Sequence, residues 1–198
     1  MMDKSIPYAG VLMTKTDLNS YPRFDLPPGF RFCGFRAGLE DDWAQLMLAV
    51  EQFDTLQQAH DYFREEFLSR PALLETQCLF ALDEAGAVAA AASVWPGSHF
   101  GRALLRIHWV ACAPAQQGKS LAKALITRLL DTLRALPYQD MLYLTSQTWS
   151  YKALRLYAGF GFRPYLGEKP VNWISEGGDF EREAEAAWRL VFEKTGSL

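Results

Sequence analysis

The stretch LLRIHWVACAPAQQGKSLAKAL, residues 104–125, constrains this chain more than any other. An apolar, strand-like run stops at Pro114, a short polar turn follows, and a helical period opens near Gly118. Leu121, Leu125, Leu129 and Leu133 then fall one turn apart. The pattern predicts a strand, a tight turn and a helix over 118–136, closed by Pro137. A helix that begins straight after a strand leaves its first N–H groups without carbonyl partners, at the positive end of its dipole. An anion is the natural guest there, and a phosphate above all. Gly118 lets the backbone approach a ligand, Ser120 and Ala122 are small, and Lys119 adds a charge or points to solvent. The hydrolase spacing GxxxxGK[ST] and the dinucleotide pattern GxGxxG are both absent.

The remaining segments read as a sheet built around this turn. Residues 1–29 form an irregular arm, with VLMT at 11–14 as an edge strand and a turn-rich YPRFDLPPG after it. Strands are expected at 30–36, 75–84, 87–96, 103–114, 141–146 and 160–166, with a last one at 171–175. Asp83 to Gly86 makes a hairpin turn between the second and third. Amphipathic helices are expected at 39–53, at 55–69 (ended by Pro71), at 150–159 and at 180–194, with a turn at 176–179. This order gives a mixed α/β sheet covered by helices, in one domain over 30–198 that ends in a C-terminal helix.

Composition removes several function classes. The formal charge is −3 and no Lys/Arg block exists, so a nucleic-acid partner is not expected. No apolar run reaches membrane-spanning length and the N-terminus lacks a secretory core, so a soluble, cytoplasmic protein without a membrane partner is expected. Cys33, Cys78 and Cys112 are widely spaced in apolar surroundings. With His60, His99 and His108 they make no metal-ligand spacing, so neither a disulfide framework nor a metal is expected.

Two segments resemble the motifs of the GCN5-related N-acetyltransferase superfamily. Gln117, Gly118, Lys119, Ser120, Leu121 and Ala122 resemble its acyl-coenzyme A signature Gln/Arg-x-x-Gly-x-Gly/Ala, with serine where the middle glycine usually stands. Residues 153–162, ALRLYAGFGF, resemble the ending A-x-x-L-Y-x-x-x-G-F, and Ser150 occupies the place often held by Asn. The resemblance implies a mostly antiparallel sheet and acetyl-CoA as acyl donor. The cofactor's pyrophosphate would lie on the N–H groups of 117–122, and its arm between the strands ending near Ala113 and starting near Met141. Backbone amides of Val110, Ala111 and Cys112 would polarise the thioester carbonyl. Ser150 and Ala153 would add cofactor contacts, and Tyr157 would protonate the departing thiolate. Dimerisation is common in the resembling family.

The general base is the open position. No acid lies between Arg102 and Gln117, and His108 is the titratable residue there with an ordinary pKa near neutrality. Strict alternation puts His108 on one face with Arg106, Val110 and Cys112, whereas the splay or bulge that strands of the resembling family often have at this point would break the alternation. The residue is read as a base or substrate contact, a satisfied sheet histidine or an exposed position. Glu75 and Glu84 are fallback acids, and Cys112 is a core thiol rather than an acyl carrier. Trp95, Gln147 and Trp149 are the expected pocket wall, and Asp54, Asp61, Glu65 and Glu66 offer charge to an amine. The leading expectation is an N-acetyltransferase acting on a small-molecule amine. A protein or peptide acetyltransferase and a non-catalytic acyl-CoA-binding module are the alternatives.

Overall fold

A computed structural model describes residues 2–175 and 178–197. Among them are seven strands: β1 (Gly10–Lys15), β2 (Phe30–Gly34), β3 (Cys78–Asp83), β4 (Val88–Gly97), β5 (Leu104–Cys112), β6 (Leu142–Gln147) and β7 (Arg163–Pro164). They hydrogen-bond in the order β2-β3-β4-β5-β6-β1-β7. The β2–β3, β3–β4, β6–β1 and β1–β7 pairs are antiparallel. The β5–β6 pair is parallel, with a single bridge between Arg106 and Tyr143. Helices α1 (Leu39–Ala49), α2 (Leu56–Phe63), α3 (Pro71–Gln77), α4 (Leu121–Arg134), α5 (Tyr151–Gly159) and α6 (Phe180–Thr195) flank the strands. The α/β class with a mostly antiparallel sheet is as expected. No described helix is long and apolar enough to cross a membrane.

The chain divides into two compact units. One comprises residues 23–95 and 108–137, with β2, β3, most of β4, the second half of β5 and helices α1 to α4. Its core is aromatic: Trp43, Phe63, Phe67, Phe80 and Trp95 are each at most 1% exposed. Helix α2 opens with a reciprocal cap in which Thr55 accepts from the Gln58 amide while the Gln58 side chain accepts from the Thr55 amide. The expected single helix over 55–69 instead widens into a π-helical turn at Arg64–Leu68. Pro71 does not merely end that segment. It opens α3, because a proline in the first turn has no intrahelical N–H to lose. Glu75 therefore sits exposed on a helix, and the strand expected from 75 starts at Cys78.

The other unit comprises residues 2–22, 96–107 and 138–197 among those described, with β1, β6, β7, α5 and α6. Here the arm departs from expectation. VLMT lies in β1 between β6 and β7 rather than at an edge, and Val11, Leu12 and Met13 are all at most 2% exposed. Three successive buried apolar residues need cover over the strand's faces, and α6 packs against β1. The strand expected at 171–175 does not form. Pro170 starts a turn closed by the Trp173 N–H, Val171 and Ile174 are exposed, and the partner of β7 is β1. Of the turn expected at 176–179, the first two residues lie outside the described residues.

Gly97, at the end of β4, is a close-approach glycine. A Cβ there would lie 1.9 Å from the Tyr143 hydroxyl, which is also 3.0 Å from His99 Nδ1. Tyr143 is fully buried and cannot swing away without losing that bond. Gly97→Ala is expected to cost about 2–3 kcal/mol in urea unfolding. A variant as stable as the parent would show that the Tyr143 ring can move aside.

Candidate active site

The site begins with a break in β5. Trp109 has φ +51, a left-handed conformation that a bulky residue adopts only when its surroundings compel it. Strict alternation fails at that point. His108 and Trp109 are consecutive, yet both rings meet the same helical layer. Tyr62 lies 5.2 Å from Trp109 and 6.3 Å from His108, ring centre to ring centre, and Phe67 lies 5.9 Å from His108. The expected grouping of His108 with Val110 and Cys112 is corrected by this twist. The Ser93 hydroxyl donates to the His108 carbonyl at 2.7 Å and fixes the strand just before the twist.

His108 is only 10% exposed in its side chain. Its Nε2 lies 3.0 Å from the Tyr62 hydroxyl of α2 and 3.8 Å from Glu66 Oε1 in the π-helical turn. The first is a hydrogen bond, and the second is a charge contact too long to be one. Sequence reasoning chose His108 and Glu66 separately and missed Tyr62. The signal was there, since Tyr62 and Glu66 are four residues apart and share a helix face.

Beside this trio lies a cavity of about 510 Å³, wide open to solvent and lined by Phe53, Tyr62, Asp54, Asp61, Glu65 and two glutamines. Phe53 and Tyr62 pack 5.5 Å apart, and both lean on Trp109. Arg64 is the single lysine or arginine between residues 39 and 69. It is paired with Asp61, whose carboxyl is held below the usual range by hydrogen bonds from Arg64 and Gln57. The cavity is thus apolar on one wall and acidic on its rim, a combination that suits a cationic amine.

Downstream, β5 leads through Pro114–Gln116 to α4. Gly118 and Ser120 have φ +81 and +65, and α4 starts at Leu121, later than the expected 118, because these two left-handed residues form a turn before it. No side chain caps α4. The Gly118 Cα faces open space, with nothing within 4 Å of a built Cβ. These features fit a phosphate-bearing group held by main-chain N–H donors. Gln117 is tied to the Cys112 carbonyl, and Lys119 donates to Gln116 at 2.6 Å and lies over the Phe30 ring. Leu121 and Ala111 are core side chains, so only their main chain is available to a ligand. Val110 and Ala122 are half-buried. Burial pushes the Cys112 thiol up to about 11, which keeps it a thiol at neutral pH.

The other expected residues are distributed differently. Trp95 is a core residue against Phe67, with 0% exposure, rather than a pocket wall. Glu84 is exposed at the hairpin tip. Gln147 and Trp149 bind the N-terminal arm: Trp149 Nε1 donates to the Ile6 carbonyl and Gln147 Nε2 to Met2 Sδ, while Tyr8 packs edge-on against Trp149. Ser150 caps the start of α5 without a side-chain bond, Ala153 is half-buried on that helix, and Tyr157 is buried beside Phe162. Burial pushes the Tyr157 phenol well above its ordinary range, so it holds its proton at neutral pH. The described residues contain no group of three or more His, Cys, Asp or Glu able to hold a metal ion.

The acetyltransferase (GNAT) family model matches residues 40–162, more than half of the chain. The chain belongs to this family. Its fold is similar to that of a GCN5-related N-acetyltransferase from Sphaerobacter thermophilus, with TM-score 0.59 and 19% identity over 79% of this chain and 48% of that one. A putative GNAT-family acetyltransferase from Novosphingobium aromaticivorans gives TM-score 0.52 and 22% identity, over 81% of this chain and 61% of that one. A GNAT-family acetyltransferase from Staphylococcus aureus gives 0.54 and 12%, over 68% and 83%. This GNAT chain thus spans about half the length of the Sphaerobacter protein. No curated protein matches it.

Ser120 stands where the family signature usually has glycine, and its φ of +65 shows why glycine suits the position. Ser120→Gly is expected to stabilise the protein by roughly 0.5–1 kcal/mol in denaturant titration, since strain relief outweighs the added chain freedom. A destabilised variant would show that the serine side chain supports the turn.

Proposed function

We propose that this GNAT protein transfers an acetyl group from acetyl-CoA to a primary amine of a small cationic molecule. The observation that carries the reading is the His108–Tyr62–Glu66 trio beside an aromatic, acid-rimmed cavity, on the strand that leads into an uncapped helix. Acetyl-CoA, when bound, supplies the activated acyl group. The N–H groups of 117–122 would hold its pyrophosphate, with Lys119 close to the same turn. The main chain of Val110, Ala111 and Cys112 would face the thioester.

An amine reaches the enzyme largely protonated, so a base must accept its proton before attack. His108 has the chemistry for that role, with a carboxylate near enough to favour the charged imidazolium. Tyr157, kept protonated by burial, is assigned to protonate the leaving thiolate. Cys112 takes no covalent part, because its raised thiol leaves little thiolate at neutral pH. The acidic rim and aromatic wall of the hollow support a cationic amine as the acceptor. A purely acyl-CoA-binding module would have no use for the trio.

Calorimetric titration with acetyl-CoA, followed by thiol release in the presence of butylamine, putrescine, spermidine, amino acids and short peptides, tests this reading. Binding and release with one amine class is the expected outcome. Tyr157→Phe should lower turnover roughly 10²-fold or more with acetyl-CoA affinity retained. A base of imidazole type makes activity fall as pH drops, because the protonated ring cannot accept. Binding without release for every amine would favour the module, and release with peptides alone would favour the peptide reading.

A further inference from the structure

His108 is nearly enclosed, and the cavity does not reach it: the lining includes Tyr62 but not His108. Tyr62 does two things at once. It lines the cavity, and its hydroxyl bonds His108 Nε2 at 3.0 Å. This hydroxyl, from α2, and the Glu66 carboxylate, from the π-helical turn, both face His108. The rings of Phe67 and Trp109 lie against it on other sides.

We propose, building on the acetyl-transfer reading, that Tyr62 is the catalytic group the acceptor amine meets, relaying its proton to His108, and that Glu66 is a positioning residue that holds the resulting charge. The amine N–H breaks as an O–H forms on Tyr62, while the original Tyr62 O–H breaks and an N–H forms on His108 Nε2. Tyr62 ends neutral, His108 ends as imidazolium 3.8 Å from Glu66 Oε1, and the amine is left with the lone pair that attacks. The relay requires resting His108 to carry its proton on Nδ1, leaving Nε2 to accept from Tyr62. Glu66 is 30% exposed in its side chain, which gives the proton an exit to water after turnover.

The π-helical turn gives this arrangement a backbone basis. Wider turns of this kind, set inside α-helices, frequently occur at functional sites. Here the turn begins two residues after Tyr62 and carries Glu66 at its centre. Phe67 of the same turn is fully buried against Trp95, 4.7 Å between ring centres, and so anchors it to the core.

Nitrogen-15 NMR of the ligand-free protein tests the resting state without any acceptor. The expected signal is an Nδ1-protonated His108, and an Nε2-protonated ring in the parent protein would overturn the relay. In Glu66→Gln the His108 titration should move to lower pH, since the neutral side chain no longer favours the imidazolium. An unmoved titration would remove Glu66 from the proposal. Kinetics then use acetyl-CoA with the fastest acceptor among butylamine, putrescine and spermidine. Tyr62→Phe should lower kcat about 100-fold or more with KM for acetyl-CoA unchanged. Its rate in mixed light and heavy water should become linear in deuterium fraction, where the parent's is bowed by two protons in motion. Turnover insensitive to Tyr62→Phe overturns the relay alone. A parent protein that binds acetyl-CoA but releases no thiol with any amine overturns the acetyl-transfer reading, and the relay with it.

Discussion

The left-handed twist at Trp109 is the constraint on which the candidate site depends. A tryptophan at φ +51 costs on the order of 1–3 kcal/mol relative to ordinary strand backbone. The cost is offset by packing. The Trp109 ring meets Trp43, Phe53 and Tyr62 at 5.2 to 5.9 Å, and aromatic pairs in such tilted or edge-on arrangements each contribute roughly 0.5–1.5 kcal/mol beyond area burial. Without the twist, His108 and Trp109 would point to opposite faces of the sheet. With it, Trp109 meets α1 and α2 while His108 meets α2 and the π-helical turn, so a polar ring is delivered beside an aromatic wall.

That helical layer is arranged so that a charged group can sit against an apolar core. Trp43, Phe63 and Phe67 seal it from below, and the hydroxyl of Tyr62 and the carboxylate of Glu66 are turned toward His108. A buried imidazole would normally resist protonation, because burial penalises the charged form. A carboxylate at 3.8 Å works against that penalty, and the low local dielectric strengthens its effect. The placing of a carboxylate beside His108 therefore depends on the register of a single helical turn.

The second unit is secured by its N-terminal arm. β1 fills an interior place between β6 and β7, and residues just before it bind the loop after β6. Thr148 is fully buried, donates to the Pro7 carbonyl and accepts from the Ala9 amide. The residues that looked like substrate contacts, Gln147 and Trp149, have their polar groups committed to this arm. A polar-aromatic loop at a strand end is a common place for ligand contacts, and here its hydrogen-bonding capacity is met by the chain itself.

The sequence alone determined the strand–turn–helix at 104–134, the hairpin at Asp83 to Gly86 and the two family motifs, because these rest on local properties: hydrophobic period, turn chemistry and residues at fixed offsets. It also singled out His108, since that strand holds no acid and no other group with an ordinary pKa near neutrality. Three things waited for the tertiary structure. The π-helical turn and the α3 start at Pro71 were hidden because 3.6- and wider-period helices carry nearly the same apolar pattern, and proline both ends and begins helices. The interior position of β1 was hidden because pairing with β6 and β7 joins residues more than a hundred positions apart, and nothing local encodes it. The meeting of Tyr62, Glu66 and His108 was hidden for a related reason: period-2 alternation sends His108 to one face, and only a left-handed Trp109, imposed by the packed aromatic layer, brings it to the helices.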